Sequence, residues 1–172
     1  MAQVARICLT GPECTGKSGL ALRLADEAGV PCVPEFAREY AEACGNQLSA
    51  ADVESIARGQ MANEDRAPHG HLLVLDTDLI STVVYARYYY GGCPSWIEEE
   101  ARRRRADLYL LMDTDVEWIA DAARDTGGEA REDLFDAFRS ALDEFETRWV
   151  IVSGSWEDRY AAARRAIESL AR

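Results

Sequence analysis

Residues 11–18 read Gly11-Pro12-Glu13-Cys14-Thr15-Gly16-Lys17-Ser18, a complete G-x-x-x-x-G-K-[ST] loop between the apolar run Ile7-Cys8-Leu9 and a stretch with helical spacing. Such a loop works only as the joint between a strand and a helix. Its glycines let backbone N–H groups turn inward, and the dipole of the following helix adds to the pull on an anion. The opening of the chain is thereby committed to an α/β arrangement that cradles phosphate. Gly11, Glu13, Cys14, Thr15, Gly16, Lys17 and Ser18 are the candidate ATP ligands. Lys17 is placed to reach the β- and γ-phosphates, and the Ser18 hydroxyl to take one position on a Mg2+ ion that keeps several waters.

Apolar runs recur at 4–9, 30–33, 72–75, 107–112 and 149–152, separated by helix-like segments. Runs apolar throughout, such as Leu72-Leu73-Val74-Leu75, belong in a sheet covered on both faces, and so predict a five-stranded parallel sheet flanked by helices. No linker or composition shift interrupts the chain, so residues 1–172 read as one domain. The formal net charge of −12 disfavours a nucleic-acid surface or an acidic membrane, since phosphate arrays need clustered Lys and Arg. Five cysteines without a C-x-x-C pair indicate neither zinc nor a disulfide framework. With no leader and no apolar stretch near the roughly 18 residues that span a bilayer, a cytoplasmic protein is expected. Homo-oligomerisation is compatible with all of this.

In open α/β sheets ligands sit beyond the carboxyl ends of the strands. After the third run comes Asp76-Thr77-Asp78. Asp76 ends an hhhhD pattern and is the candidate second metal residue beside Ser18, while Asp78 is either a helix cap or a substrate ligand. After the second run, Glu35 stands at a strand tip with Arg38 three residues on. A hydroxyl attacking a γ-phosphate needs a carboxylate to orient it and take its proton, which suits Glu35; the alternative is a helix-start charge paired with Arg38.

Beyond the fourth run, Asp121, Arg124 and Arg131 flank Thr126-Gly127-Gly128, the pattern of a hinged lid whose arginines neutralise a transferring phosphoryl group; each could instead be a solvated helix charge. Tyr85, Tyr88 and Tyr89 share a helical face that reads first as packing, with Tyr85 and Trp118 the candidates to touch a flat ring. Gly154 and Trp156 follow the fifth run, where a nucleotide base or helix-start packing is expected. Arg102-Arg103-Arg104-Arg105 ends a segment that begins Glu98-Glu99-Glu100, a charge order that complements a helix dipole; Arg105 is the exception nearest the strand. His69 and His71 precede the third run, at the end away from the site. Cys14 is a small residue that fits the loop or, at a helix start, an oxidation-prone thiol.

Taken together, Gly-Pro-Glu-Cys-Thr-Gly-Lys-Ser at 11–18, Glu-Phe-Ala-Arg-Glu-Tyr at 35–40, Asp-Thr-Asp at 76–78, Trp-Ile-Ala-Asp-Ala-Ala-Arg at 118–124 and Arg131 resemble the nicotinamide riboside kinase domain of NadR-type regulators. These belong to the NadR-like AAA family of P-loop NTPases. The resemblance runs from about residue 4 to the last helix. It implies a nucleoside-kinase-like P-loop fold with an arginine-bearing lid, and ATP-dependent phosphorylation of the 5′-hydroxyl of nicotinamide riboside to the mononucleotide used in NAD salvage. It also implies Lys17, Glu35, Arg124 and Arg131 as catalytic residues, and Glu35, Arg38, Asp78, Tyr85, Trp118 and Asp121 as substrate ligands. The helix-turn-helix and adenylyltransferase modules of full-length regulators are not expected here. One position departs from the pattern. Pro34 stands where family members carry Trp, which removes a cation–π partner worth about 0.5–2 kcal/mol and leaves Trp118 or a tyrosine as the replacement. A kinase for another nucleoside or nucleotide, and a nucleotide-operated switch without an acceptor, are the rival readings.

Overall fold

An apolar run that must be covered on both faces needs helices on both sides, and the protein supplies them. The structure is a computed structural model and describes residues 4–68, 70–116 and 128–170. In chain order its elements are β1 (Ala5–Thr10), α1 (Lys17–Ala28), β2 (Cys32–Val33), α2 (Phe36–Ala43), a 3-10 turn (Ala50–Asp52), α3 (Val53–Arg66), β3 (Leu72–Asp76), α4 (Leu79–Tyr90), α5 (Ser95–Arg103), β4 (Leu108–Met112), α6 (Gly128–Glu144), β5 (Trp149–Val152) and α7 (Trp156–Glu168). The strands form one sheet in the order β2-β3-β1-β4-β5, every adjacent pair parallel.

Alternate residues of the strands serve two cores. Ile7, Leu9, Val74, Leu108 and Leu110 pack with Leu20 and Leu24 of α1 and Ala163 of α7. Cys8, Leu73, Leu75, Tyr109 and Leu111 face the other way, against Ile80 and Val83 of α4, Ile97 of α5 and Phe138 and Leu142 of α6. Because β1 lies at the centre with β3 and β4 on either side, the loop that follows it opens among the carboxyl ends of its neighbours.

The second strand is shorter than its apolar run. Gly29 adopts φ 64° and caps α1, and the Val30 amide bonds back to Ala25 O (3.0 Å). Val30 thus closes a helix. Pro31 has no N–H to give, and pairing begins at Cys32 with Val74. The arginine run is likewise more than a dipole complement. Arg104 reaches Asp65 of α3 (2.8 Å), and Arg105 donates to Phe145 O just past α6 (2.6 Å). The run ties α5 to its neighbours. Among the described residues no helix is long and apolar enough to cross a membrane.

Candidate functional site

Gly11 (φ 126°) and Gly16 (φ 83°) hold the loop in backbone regions that favour glycine. A Cβ on Gly11 would lie 2.9 Å from Met112 O, and one on Gly16 2.7 Å from the Trp156 ring. Gly16 is also the residue before the first turn of α1, so its neighbours' amides lie where a phosphate finds a helix N-terminus. Thr15 Oγ1 donates to Pro12 O (2.8 Å) and closes the loop on itself; Lys17 Nζ donates to the same carbonyl (2.6 Å), laying its ammonium across the loop.

Ser18 Oγ donates to Asp76 Oδ2 at 2.5 Å, which joins the first turn of α1 to the end of β3. The second carboxylate oxygen, Asp76 Oδ1, is buried with no hydrogen-bond partner among the described residues. Burial pushes the Asp76 carboxyl up, the Ser18 bond pulls it back down, and the nearby Glu35 charge adds to the rise. An orphaned carboxylate oxygen beside a hydroxyl is a hard oxygen donor set that suits Mg2+, an ion that usually takes one or two protein ligands and fills the rest with phosphate and water. Among the described residues no cluster of three or more His, Cys, Asp or Glu forms an all-protein metal cage.

Glu35 is buried at the tip of β2, one residue before α2, where it makes no capping bond. Arg38 approaches it at 3.8 Å but is 58% exposed, so the pairing along α2 is present while the guanidinium stays largely in water. Glu35 and Glu13 line a cavity of about 320 Å³. Its lining also includes Tyr85, Tyr89 and Tyr90 of α4, with Asn46 and Ser49 supplying amide and hydroxyl groups. Tyr85 and Tyr89 stack with their planes 2° apart, and Phe138 meets Tyr85 edge-on. Asp78 is not part of this cavity. Its Oδ1 caps Ile80 N (2.9 Å) and its Oδ2 takes the Tyr109 hydroxyl (2.6 Å); burial pushes its carboxyl up to about 6. The structure thus shows Asp78 as a helix cap, with both oxygens engaged inside the core.

Arg131 of α6 lies against the phosphate loop, with one terminal nitrogen on Cys14 O (3.5 Å) and the other on Val116 O (3.4 Å). Its Nε is buried without a partner among the described residues. Trp156, 44% exposed, covers Gly16 and Gly19 at the start of α1. Gly154 donates its amide to Asp115 (2.6 Å). Trp118, Asp121, Arg124 and His69 lie outside the described residues.

Two residues of consequence were not anticipated. Arg159 of α7 is wholly buried and donates to Gly154 O (2.9 Å), Thr15 O (3.3 Å), Asp113 O (3.2 Å) and the Asp115 carboxylate. Gln60 of α3 bonds Phe36 N and Thr77 O. The available signal was the same for both: a polar residue on a stripe meant for the core, Arg159 with Ala163 and Gln60 with Val53, Ile56 and Ala57.

With that geometry in view, the chain can be set beside known proteins. The AAA domain family matches residues 6–159. The trifunctional NAD biosynthesis/regulator protein NadR of Escherichia coli (strain K12) is 25% identical over 156 residues, 87% of this chain and 38% of the relative. This chain thus spans little more than a third of that relative's length. Among solved structures, a NadR protein in complex with NR superposes with a TM-score of 0.79 at 28% identity, covering 96% of this chain and 51% of that one. A thymidylate kinase from Ehrlichia chaffeensis shares the fold at a TM-score of 0.67 and 14% identity, covering 97% of this chain and 98% of that one.

Proposed function

The chain belongs to this AAA-domain family, and we propose that it is an ATP-dependent kinase that phosphorylates the 5′-hydroxyl of nicotinamide riboside. The observation that carries this reading is the cavity beside the phosphate loop, lined by both carboxylates and tyrosines. Its volume of about 320 Å³ suits a single nucleoside, and the resemblance to a NadR protein solved with NR supports nicotinamide riboside as that nucleoside.

The charge of the cavity separates the rival acceptors. Its described lining includes Glu13 and Glu35 but no Lys, Arg or His, a charge that disfavours the phosphate of a nucleotide acceptor. A pyridinium ring instead meets carboxylates and the faces of Tyr85, Tyr89 or Tyr90, the aromatic partners that Pro34 fails to supply.

In this reading the loop amides and Lys17 hold the ATP phosphates. Ser18 and Asp76 hold Mg2+, which when bound neutralises charge on the β- and γ-oxygens. Glu35 accepts the proton of the ribose 5′-hydroxyl as its oxygen forms a bond to the γ-phosphorus; the bond from that phosphorus to the bridging oxygen breaks and ADP leaves. Arg131, at the edge of the loop, balances the charge of the transferring group, and Arg124 is proposed to join it. In this reading residues 1–172 form one kinase domain that works in the cytoplasm. The test is ADP release with ATP and Mg2+, comparing nicotinamide riboside, ordinary nucleosides and nucleoside monophosphates, with Glu35→Gln as control. Stimulation by nicotinamide riboside that Glu35→Gln lowers about 10²–10⁴-fold, the scale of a lost general base, supports the reading; equal release in every mixture overturns it and favours a nucleotide switch.

A further inference from the structure

We propose that Gly59 and Gln60, adjacent on α3, are positioning residues that set the Glu35 carboxylate relative to Asp76. This rests on the reading of Glu35 as the acceptor carboxylate.

The sheet itself does not fix that relation. The β2–β3 ladder has its last rungs at Cys32 with Val74 and Val33 with Leu75, so the chain has left the ladder before it reaches Glu35. Gln60 takes over beyond that point. It is 2% exposed; its Oε1 accepts from Phe36 N (3.0 Å), and its Nε2 donates to Thr77 O (3.3 Å) and toward Glu64 Oε1 (3.5 Å). Phe36 directly follows Glu35 and Thr77 directly follows Asp76. One side-chain amide therefore spans the peptide units next to both carboxylates, serving as the rung the strands do not make. The task needs an acceptor at one end and a donor at the other, which an amide has and a carboxylate or thioether lacks. Thr77 adds to the demand. It is a β-branched residue at φ 67°, a backbone state that persists only where its surroundings hold it.

Gly59 acts on the same residue from the other side. Glycine weakens a helix interior, yet here a Cβ would overlap the Phe36 ring. That ring lies directly on the α3 backbone. Phe36 is thus seated by its ring on Gly59 and by its amide on Gln60, and the preceding residue is aimed as a consequence. Both contacts act away from the reacting atoms.

The experiment is a double-mutant cycle in phosphoryl transfer from ATP to nicotinamide riboside, using wild type, Gln60→Met, Glu35→Gln and the double variant. Gln60→Met is expected to lower kcat about 10–100-fold with KM for ATP unchanged, the scale of loss that follows from displacing a catalytic group by an ångström. In the Glu35→Gln background it is expected to cost nothing further, because there is no carboxylate left to aim. Gly59→Ala should show the same kcat loss, and adding Phe36→Leu should restore it by relieving the overlap; this pair carries the test if Gln60→Met does not fold. Equal losses from Gln60→Met in both backgrounds, or no change in kcat, overturns the inference while leaving the kinase reading intact. A wild type that transfers phosphate to no acceptor overturns both.

Discussion

Replacing Arg159 with methionine removes a buried cation that gathers three loops. The guanidinium holds the carbonyls of Thr15, Asp113 and Gly154 together with the Asp115 carboxylate, so a phosphate-loop residue, the end of β4 and the turn after β5 all meet on it. The losses are unequal. Thr15 is buried, and its carbonyl forfeits a charge-assisted bond with no water to replace it, about 1.5–3 kcal/mol. Gly154 is exposed and the Asp115 side chain is 37% exposed, so water repays most of what they lose. Methionine keeps the apolar stem in place. Together these give a destabilisation of about 3–4 kcal/mol. Lysine retains the charge and the Asp115 pair but has no planar fork to serve three carbonyls, so Arg159→Lys should lose about half as much, roughly 1.5–2 kcal/mol. Urea unfolding followed by far-UV circular dichroism, without nucleotide, reads both as shifts in midpoint at constant slope. A methionine variant within 1 kcal/mol of wild type refutes the reasoning, as does a lysine variant as costly as the methionine one.

Asp76→Asn should weaken Mg2+-dependent ATP binding about 10–100-fold, the range for losing a partner around a metal, while binding measured by calorimetry in EDTA stays near wild type; equal weakening with and without Mg2+ would assign Asp76 a structural role. Gly11→Ala, which sets a methyl 2.9 Å from Met112 O at φ 126°, should abolish ATP binding in the same assay, and retained affinity would show that the loop tolerates another path. Arg87 grips Glu144 with two bonds (2.7 and 3.0 Å) and holds its carboxyl below the usual 4.5. A depressed folded value contributes stability above pH 4.5 that is lost as pH falls through the folded value. Glu144 is 43% exposed, so Glu144→Gln should cost about 0.5 kcal/mol at pH 7 and progressively less as pH falls below 4.5 in urea titrations, and a difference that does not shrink on acidification would exclude the ion pair as its cause.

What could be read in the chain was what is encoded locally. The loop at 11–18 announces itself through glycine and lysine spacing, and the strands through runs such as Leu72–Leu75, because a parallel sheet buried on both faces demands uninterrupted apolar residues. The limits appear where a residue answers to something distant in sequence. Val30 belongs to the cap of α1 because Ala25 O was left needing a donor. Asp78 turns inward because Tyr109, 31 residues away on β4, offers it a hydroxyl. Arg159 and Gln60 pair with carbonyls and amides, which carry no side-chain signature. Their placement on buried stripes was visible, but the partners were not.

Trp156 has a use beyond packing. An indole in van der Waals reach of Gly16 and Gly19, with nearly half its surface in water, is an optical gauge attached to the loop that phosphate would enter. Its emission depends on the polarity and quenchers within a few ångströms, so filling the loop writes itself into the fluorescence of the unlabelled chain. Trp149, by contrast, begins β5 and has its indole N–H bonded to Asp143 of α6 (2.9 Å). Occupancy can therefore be timed on the millisecond scale by stopped flow, separating nucleotide arrival from the slower turnover that product assays record.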